Sequence, residues 1–323
     1  MRAIVQDSYG STDVLRLARI ARPEIAADEV LVHVRAAGLD RGTWHMMAGQ
    51  PYLLRVLGFG FRAPKNRVPG LDVAGTVVAV GSAVTRFSTG DEVFGISRGS
   101  FAEYAAVRED KLARKPWNLT FAQAAAVPIS AGTALQALTD VGQVEPGQRV
   151  LVIGASGGVG SYAVQLAKAF GAEVTGVCST AKLDWVRNLG ADHVVDYTRQ
   201  DFADGPTRYD LILDLAGNAS LSRLRSALTP AGTLVIVGGE EGGRWTGGFG
   251  RSLRAPLVSP FVRQRMTMLA SKERASDQER LTTLIEAGTL IPSIDRTYPL
   301  ECVPEAMRHL EAGDVRGKVV LTL

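Results

Sequence analysis

The sequence predicts an α/β protein with a doubly wound parallel sheet set beside a β-rich domain. Three observations carry that expectation. From residue 150 onward, short apolar runs alternate with helical patterns, as a parallel βα sheet requires. Residues 1–122 instead hold short β-branched runs broken by glycine and polar turns, the signature of hairpins. Between the two styles, an apolar run ending at Ile153 meets a crowd of glycines and then a helix-like segment.

The elements follow in order. In "EVLVHVRAAGL", Val30, Val32 and Val34 alternate with Leu31, His33 and Arg35, which is the period of a strand. "VAGTVVAVGSAVTRFSTGDEVFG" reads as hairpins or a partly open barrel. "TFAQAAAVPISAGTALQALTDVG" is alanine-rich and helical. Strands are expected at 150–154, 173–178, 193–197, 211–215 and 233–238, with helices at 158–170, 181–189 and 219–228. A sixth strand is expected at 266–271 and a helix at 277–287. The tail from Ile291 reads as strand, helix and strand, and is expected to rejoin the first domain. The expected boundaries are 1–122 with 288–323 for the β-rich domain and 123–287 for the inserted one.

Composition narrows the function classes. The 323 residues are 46% hydrophobic and 21% charged, with a net charge of +3, an ordinary globular balance that calls for neither nucleic acid nor membrane as partner. Cys178 and Cys302 are the two cysteines, too few for a disulfide framework, so a reducing, cytoplasmic setting is expected. The opening "MRAIVQDSYG" has no apolar signal core, and no apolar run approaches the roughly 18 residues of a membrane span.

The glycines are spaced Ala155-x-Gly157-x-x-Gly160. That is the dinucleotide fingerprint with alanine at its first glycine: Gly157 permits close approach of a pyrophosphate and Gly160 close packing of the following helix. Ser156, Gly157, Gly158, Val159 and Gly160 are therefore cofactor candidates, with helix N–H groups facing the anion. A tight βα turn holding nothing is the plainer alternative. After the second strand, where NAD-binding folds place an acidic residue for the ribose hydroxyl, the chain has "VCSTAK", with no carboxylate between Glu173 and Asp184. Ser179, Thr180 and Lys182 suit a 2′-phosphate, so the expected cofactor is NADP(H); a solvated Lys182 at a helix start is the alternative.

With these residues in place, the sequence resembles the medium-chain dehydrogenase/reductases, on their zinc-free quinone oxidoreductase branch. The resemblance spans essentially the whole chain and rests on "AAGLDRGTWH", "VPGLDVAGTVVAVGSAVTRFSTGDEVFG", "GSFAEYAAV", "GASGGVG", "LGADHVVDY" and "RGKVVL". It implies a GroES-like catalytic domain joined to a Rossmann domain, with the active site in the cleft between them. Zinc-dependent members of that family hold a metal with Cys, His and Cys. Here Asp40 stands at the first position, Leu71 at the second, and no cysteine near Val127–Ile129 at the third. No catalytic metal is expected, because Asp40, His45 and Asp72 do not reproduce a zinc ligand set.

The same resemblance implies a site lined by Asp40, Trp44, His45 and Tyr52, with Thr133 at the nicotinamide. Tyr197 joins Ser179 and Lys182 at the adenosine end, Gly238 and Gly239 run near the nicotinamide, and Lys318 closes over the cofactor. Asp40 could orient substrate or cap a turn, and His45 could relay protons or be a plain hydrogen-bonded histidine. The apolar stretch 49–64, with Tyr52, Leu54, Phe59 and Phe61, could line or cover a lipophilic cleft, or pack on the chain's own core or a dimer mate. The glycine-dense stretch 238–256 is a candidate substrate loop, and Arg251, Arg254, Arg263, Arg265, Lys272 and Arg274 read as a solvated face. The implied function is zinc-independent hydride transfer from NADPH to a quinone or activated enone in a homodimer. The rivals are an alcohol dehydrogenase, an enoyl reductase, or a non-catalytic NADPH-binding sensor.

Overall fold

The computed structural model describes residues 1–239, 243 and 245–323. In chain order the strands are β1 (Arg2–Val5), β2 (Arg16–Arg19), β3 (Glu29–Leu39), β4 (Asp72–Val80), β5 (Glu92–Ile96), β6 (Tyr104–Arg108), β7 (Leu112–Arg114), β8 (Arg149–Ile153), β9 (Glu173–Cys178), β10 (His193–Asp196), β11 (Tyr209–Asp214), β12 (Leu228–Ile236), β13 (Arg265–Met268), β14 (Ile294–Pro299) and β15 (Lys318–Thr322). The α-helices are α1 (Arg41–Ala48), α2 (Tyr52–Leu54), α3 (Phe121–Ala125), α4 (Pro128–Gln136), α5 (Gly158–Ala169), α6 (Leu183–Asn188), α7 (Leu221–Ser226), α8 (Phe249–Val258), α9 (Ala275–Glu286) and α10 (Val303–Glu311). Two compact units result: Met1–Gly132 with Lys272–Leu323, and Thr133–Ser271.

In the first unit, seven strands form one sheet, β14-β15-β3-β4-β5-β7 with β6 also on β3. The period-two pattern of β3 buries Val30, Val32 and Val34 against Val73, Val77, Val319 and Leu321. The tail does return to this unit: β15 pairs antiparallel with β3, Val319 opposite Leu39. That pairing brings residue 318 beside the end of β3, where α1 begins.

The second unit is one parallel sheet in the order β10-β9-β8-β11-β12-β13. The chain winds outward from β8 through β9 to β10, then restarts at β11 and winds the other way. The reversal falls between β8 and β11, and ligands of such sheets sit outside the carboxyl ends of the strands at that point.

Both boundaries differ from the expectation, the first by ten residues and the second by a whole helix. The helix expected at 277–287 in the inserted domain is α9, and it belongs to the first unit. Asn118 Nδ2 donates to Ile285 O at 2.9 Å, Gln278 Nε2 donates to Pro128 O at 3.3 Å, and Arg86 pairs with Glu279. The divisions therefore lie at 132/133 and 271/272. Among the described residues, no helix is long and apolar enough to cross a membrane.

Candidate active site

In the second unit, β8 ends in a turn at Gly154, whose φ of 86° is left-handed and favours glycine. Gly157 then precedes α5 as its N-cap, with no side chain capping the helix. Ser161 N–H is bonded back to Gly157 O at 2.9 Å. The N–H groups of Gly158, Val159 and Gly160 come before it and have no carbonyl one turn behind. Three donors with no acceptor among the described residues, together with the helix dipole, make a seat for an anion. The two glycines of the turn have different reasons to be there. A Cβ on Gly160 would strike the Gly154 carbonyl and lie 2.8 Å from Ala155 Cα. A Cβ on Gly157 would have Gly154 O at 3.6 Å as its nearest neighbour, so the protein itself does not require glycine there.

At the end of β9, Ser179 and Lys182 flank Thr180, and Lys182 is buried to 9% exposure. Parallel pairing sets Cys178 opposite Asp196 of β10. Asp196 accepts from Thr180 Oγ1 at 2.5 Å and from Thr198 Oγ1 at 2.7 Å. The Thr180 and Thr198 hydroxyls hold its carboxyl below the usual carboxylate range. Thr180 has a single hydroxyl proton, and Asp196 takes it. The expectation that Thr180 donates to a 2′-phosphate is corrected on that ground. Tyr197 donates its N–H to Cys178 O at 3.2 Å and leaves its ring 64% exposed beside the end of β9.

At the end of β11, Asp214 is fully buried and 2.6 Å from Arg251 Nη1 of α8. Asp214 Oδ1 also accepts from Gly217 N at 3.0 Å, and Arg251 donates to Ala219 O at 2.6 Å. Burial pushes the Asp214 carboxyl up and the Arg251 charge opposes it. Arg251, its side chain 15% exposed, is thus a largely enclosed brace on Asp214, correcting its expected place on a solvated face. Gly238 and Gly239 follow β12; Gly238 N–H donates to the Asp214 backbone carbonyl at 3.2 Å, and Arg251 Nη2 donates to Gly238 O at 3.4 Å, which ties Gly238 to the brace. Within 238–256, residues 240–242 and 244 lie outside the described residues, while Trp245 is 74% exposed. Thr133 is half-buried on α4.

In the first unit, Asp40 caps α1, its Oδ1 accepting from Thr43 N at 2.7 Å. Its other oxygen, Oδ2, is buried with no hydrogen-bond partner among the described residues. Asp72 is fully buried, accepting from Lys318 Nζ at 2.8 Å and from Ile129 N at 2.7 Å. Burial pushes the Asp72 carboxyl up to about 6, Lys318 opposing and Asp40 reinforcing the shift. Lys318 was expected over the cofactor. Its ammonium is instead enclosed, 2% exposed as a residue, and directed at Asp72.

His45, in the last turn of α1, has Nδ1 2.8 Å from Gln50 O. A carbonyl only accepts, so Nδ1 carries the proton of this bond, and Nε2 takes no part in it. Trp44 donates its indole N–H to Glu311 at 2.5 Å and packs partly on the core, so it is fixed to α10. Tyr52 lies against the Arg55 guanidinium, 4.6 Å from its ring centroid.

Comparison with known proteins adds the lineage. The family described as alcohol dehydrogenase GroES-like domain matches residues 26–117, and that described as zinc-binding dehydrogenase matches residues 189–321. The 2-methylene-furan-3-one reductase of Solanum lycopersicum is 35% identical over 99% of this chain and 79% of its own length. The NADPH-dependent alkenal/one oxidoreductase of Arabidopsis thaliana is 36% identical over the same shares. The solved quinone oxidoreductase from Coxiella burnetii superposes with a TM-score of 0.88 at 29% identity, covering 100% of this chain and 99% of that one. The chain belongs to the medium-chain dehydrogenase/reductase superfamily, on its quinone oxidoreductase-like branch.

As a medium-chain dehydrogenase/reductase it is an oxidoreductase that uses a nicotinamide cofactor, with a GroES-like first unit and a Rossmann second unit. The glycine turn and the bare N-terminus of α5 fit a dinucleotide pyrophosphate. The zinc of other medium-chain dehydrogenase/reductases does not fit. Leu71 has no donor atom, Asp72 is committed to Lys318 and Ile129, and Asp40 Oδ1 to Thr43. Among the described residues, no three His, Cys, Asp or Glu side chains are grouped as metal ligands.

Proposed function

We propose that this protein transfers a hydride from NADPH to a quinone or an activated enone without a catalytic metal. The observation that supports this most is the first unit's Leu71–Asp72 segment. At the family's metal position stands an alkyl side chain, followed by a carboxylate already neutralised by Lys318. A simple ketone or aldehyde needs a cation or strong donors to stabilise the alkoxide formed on its reacting carbon. Quinones and enones delocalise the charge themselves.

The nicotinamide supplies the hydride; the chain supplies position and charge. The α5 N-terminus holds the pyrophosphate, and Ser179 with Lys182 recognises the 2′-phosphate. Tyr197 offers its open ring to the adenosine end. Asp40, His45 and Tyr52 are the acceptor-side groups, with His45 Nε2 and Asp40 Oδ2 the atoms whose hydrogen-bonding capacity is unused among the described residues. By family likeness we also propose a cytoplasmic homodimer, tested by light scattering of the purified protein.

Steady-state NADPH oxidation tests the reading. Turnover of quinones or enones is expected. Saturable NADPH binding with no turnover of any acceptor would make the protein a sensor instead.

A further inference from the structure

The segment 49–67 has no acidic residue and four cations, Arg55, Arg62, Lys65 and Arg67. Three of its apolar side chains lie open to solvent: Val56 is 68% exposed, Phe59 42% and Phe61 74%. Arg62 and Lys65, also exposed, make no ion pair among the described residues, whereas Arg67 pairs with Asp7 at 2.6 Å. We propose that this segment docks the protein on an anionic lipid surface, Phe61 entering the interface and Arg62 and Lys65 pairing with headgroups.

The tip is built rather than loose. Tyr9 Oη lies 2.7 Å from Gly60 O, and Lys65 N–H donates to Phe59 O at 3.0 Å, closing the turn that carries Phe61 and Arg62. Arg55 donates to Gly49 O at 2.7 Å, with the Tyr9 and Tyr52 rings at 4.4 and 4.6 Å from its guanidinium carbon. A tip already held in one shape loses less conformational freedom on docking. Exposed aromatic and aliphatic groups interleaved with unpaired cations match the chemistry of a lipid headgroup layer, where aromatics anchor and each nearby basic residue adds attraction. A net charge of +3 over the whole chain hides this local excess, which is why the sequence alone pointed to no membrane partner. The surface stands independently of which acceptor the enzyme reduces.

Cosedimentation with vesicles tests it. The protein should bind vesicles of phosphatidylcholine with about a third phosphatidylserine, not phosphatidylcholine alone, and leave as salt rises. Arg62→Glu with Lys65→Glu should weaken partitioning by about tenfold or more, and Phe61→Ser by several-fold. NADPH binding by both variants should stay unchanged, which shows that they fold. Equal binding to both vesicles, binding to neither, or full binding by the charge-reversed variant would overturn the proposal. So would a change of oligomeric mass in Phe61→Ser, which would assign the patch to a second copy of the chain.

Discussion

Lys318 Nζ donates to Asp72 Oδ2 at 2.8 Å with both side chains sealed from solvent, 1% and 0% exposed. The two residues are 246 positions apart, joined because β15 pairs with β3 and β3 with β4. Asp72 directly follows the position where zinc-dependent relatives carry a metal ligand, so an internal ion pair occupies ground that a metal centre would otherwise polarise.

Breaking this pair should be more damaging than removing it. Lys318→Met alone strands a buried carboxylate and should cost roughly 3–5 kcal/mol. Lys318→Met with Asp72→Leu should recover most of that loss. Urea denaturation of wild type, Lys318→Met and the double variant decides: a double variant no more stable than Lys318→Met would contradict a compensated pair.

The pair also sets a pH dependence. In the folded protein the Asp72 carboxyl is pushed up to about 6, above its ordinary value. The fold then binds the proton more tightly than the unfolded chain does. Stability from Asp72 is therefore fully present below the ordinary carboxylate value and lost as pH rises through about 6. The melting temperature of wild type minus that of Asp72→Asn should fall across this interval. A flat difference would show that Asp72 is not perturbed in the fold.

The glycine turn offers a separable pair of substitutions. Gly160→Ala forces a Cβ into the Gly154 carbonyl and should destabilise the second unit by roughly 1–3 kcal/mol. Gly157→Ala meets only an ordinary contact at 3.6 Å. It should fold normally and yet bind cofactor at least several-fold more weakly, because the dinucleotide fingerprint uses this glycine to let the pyrophosphate approach the backbone. Thermal melts beside fluorescence titration check both halves, and unimpaired cofactor binding in Gly157→Ala would remove the turn from the cofactor site.

NADPH should bind more tightly than NADH, by about tenfold or more if a charge-assisted phosphate contact contributes roughly 1.5–3 kcal/mol. Lys182→Ala should erase most of the preference, while Thr180→Val should leave it nearly intact because that hydroxyl serves Asp196. Equal dissociation constants for the two cofactors, or an unchanged ratio in Lys182→Ala, would refute this assignment.

Much of this was legible locally. The strand–helix alternation and the glycine turn are short-range patterns, and β8, α5 and β9 fall where the periodicity puts them. What escaped the sequence depends on distant pairing. Asp196 reaches the end of β9 only through the parallel β9–β10 register, so a search for an acidic residue along β9 passes over it. Arg251 sits in a run of basic residues that looks solvated, but the start of α8 turns it onto buried Asp214. The period of α9 shows which face is buried, with Leu281 and Ile285 inside, and not which unit it joins. Lys318 lies in a recognisable "RGKVVL" tail, but only the sheet order reveals that its partner is Asp72.

The central claim is metal-free reduction of conjugated acceptors, and a competition of acceptors under matched conditions tests it most directly. NADPH oxidation would be followed with 9,10-phenanthrenequinone, an α,β-unsaturated ketone, and the saturated aldehyde of similar size, on protein dialysed against a chelator. The account predicts that kcat/KM for the quinone or the enone exceeds that for the aldehyde by about a hundredfold or more, since a missing oxyanion stabiliser costs roughly 2.7–4 kcal/mol, and that chelation changes neither. An aldehyde reduced faster than both conjugated acceptors, with activity lost on chelation and restored by zinc, would contradict it.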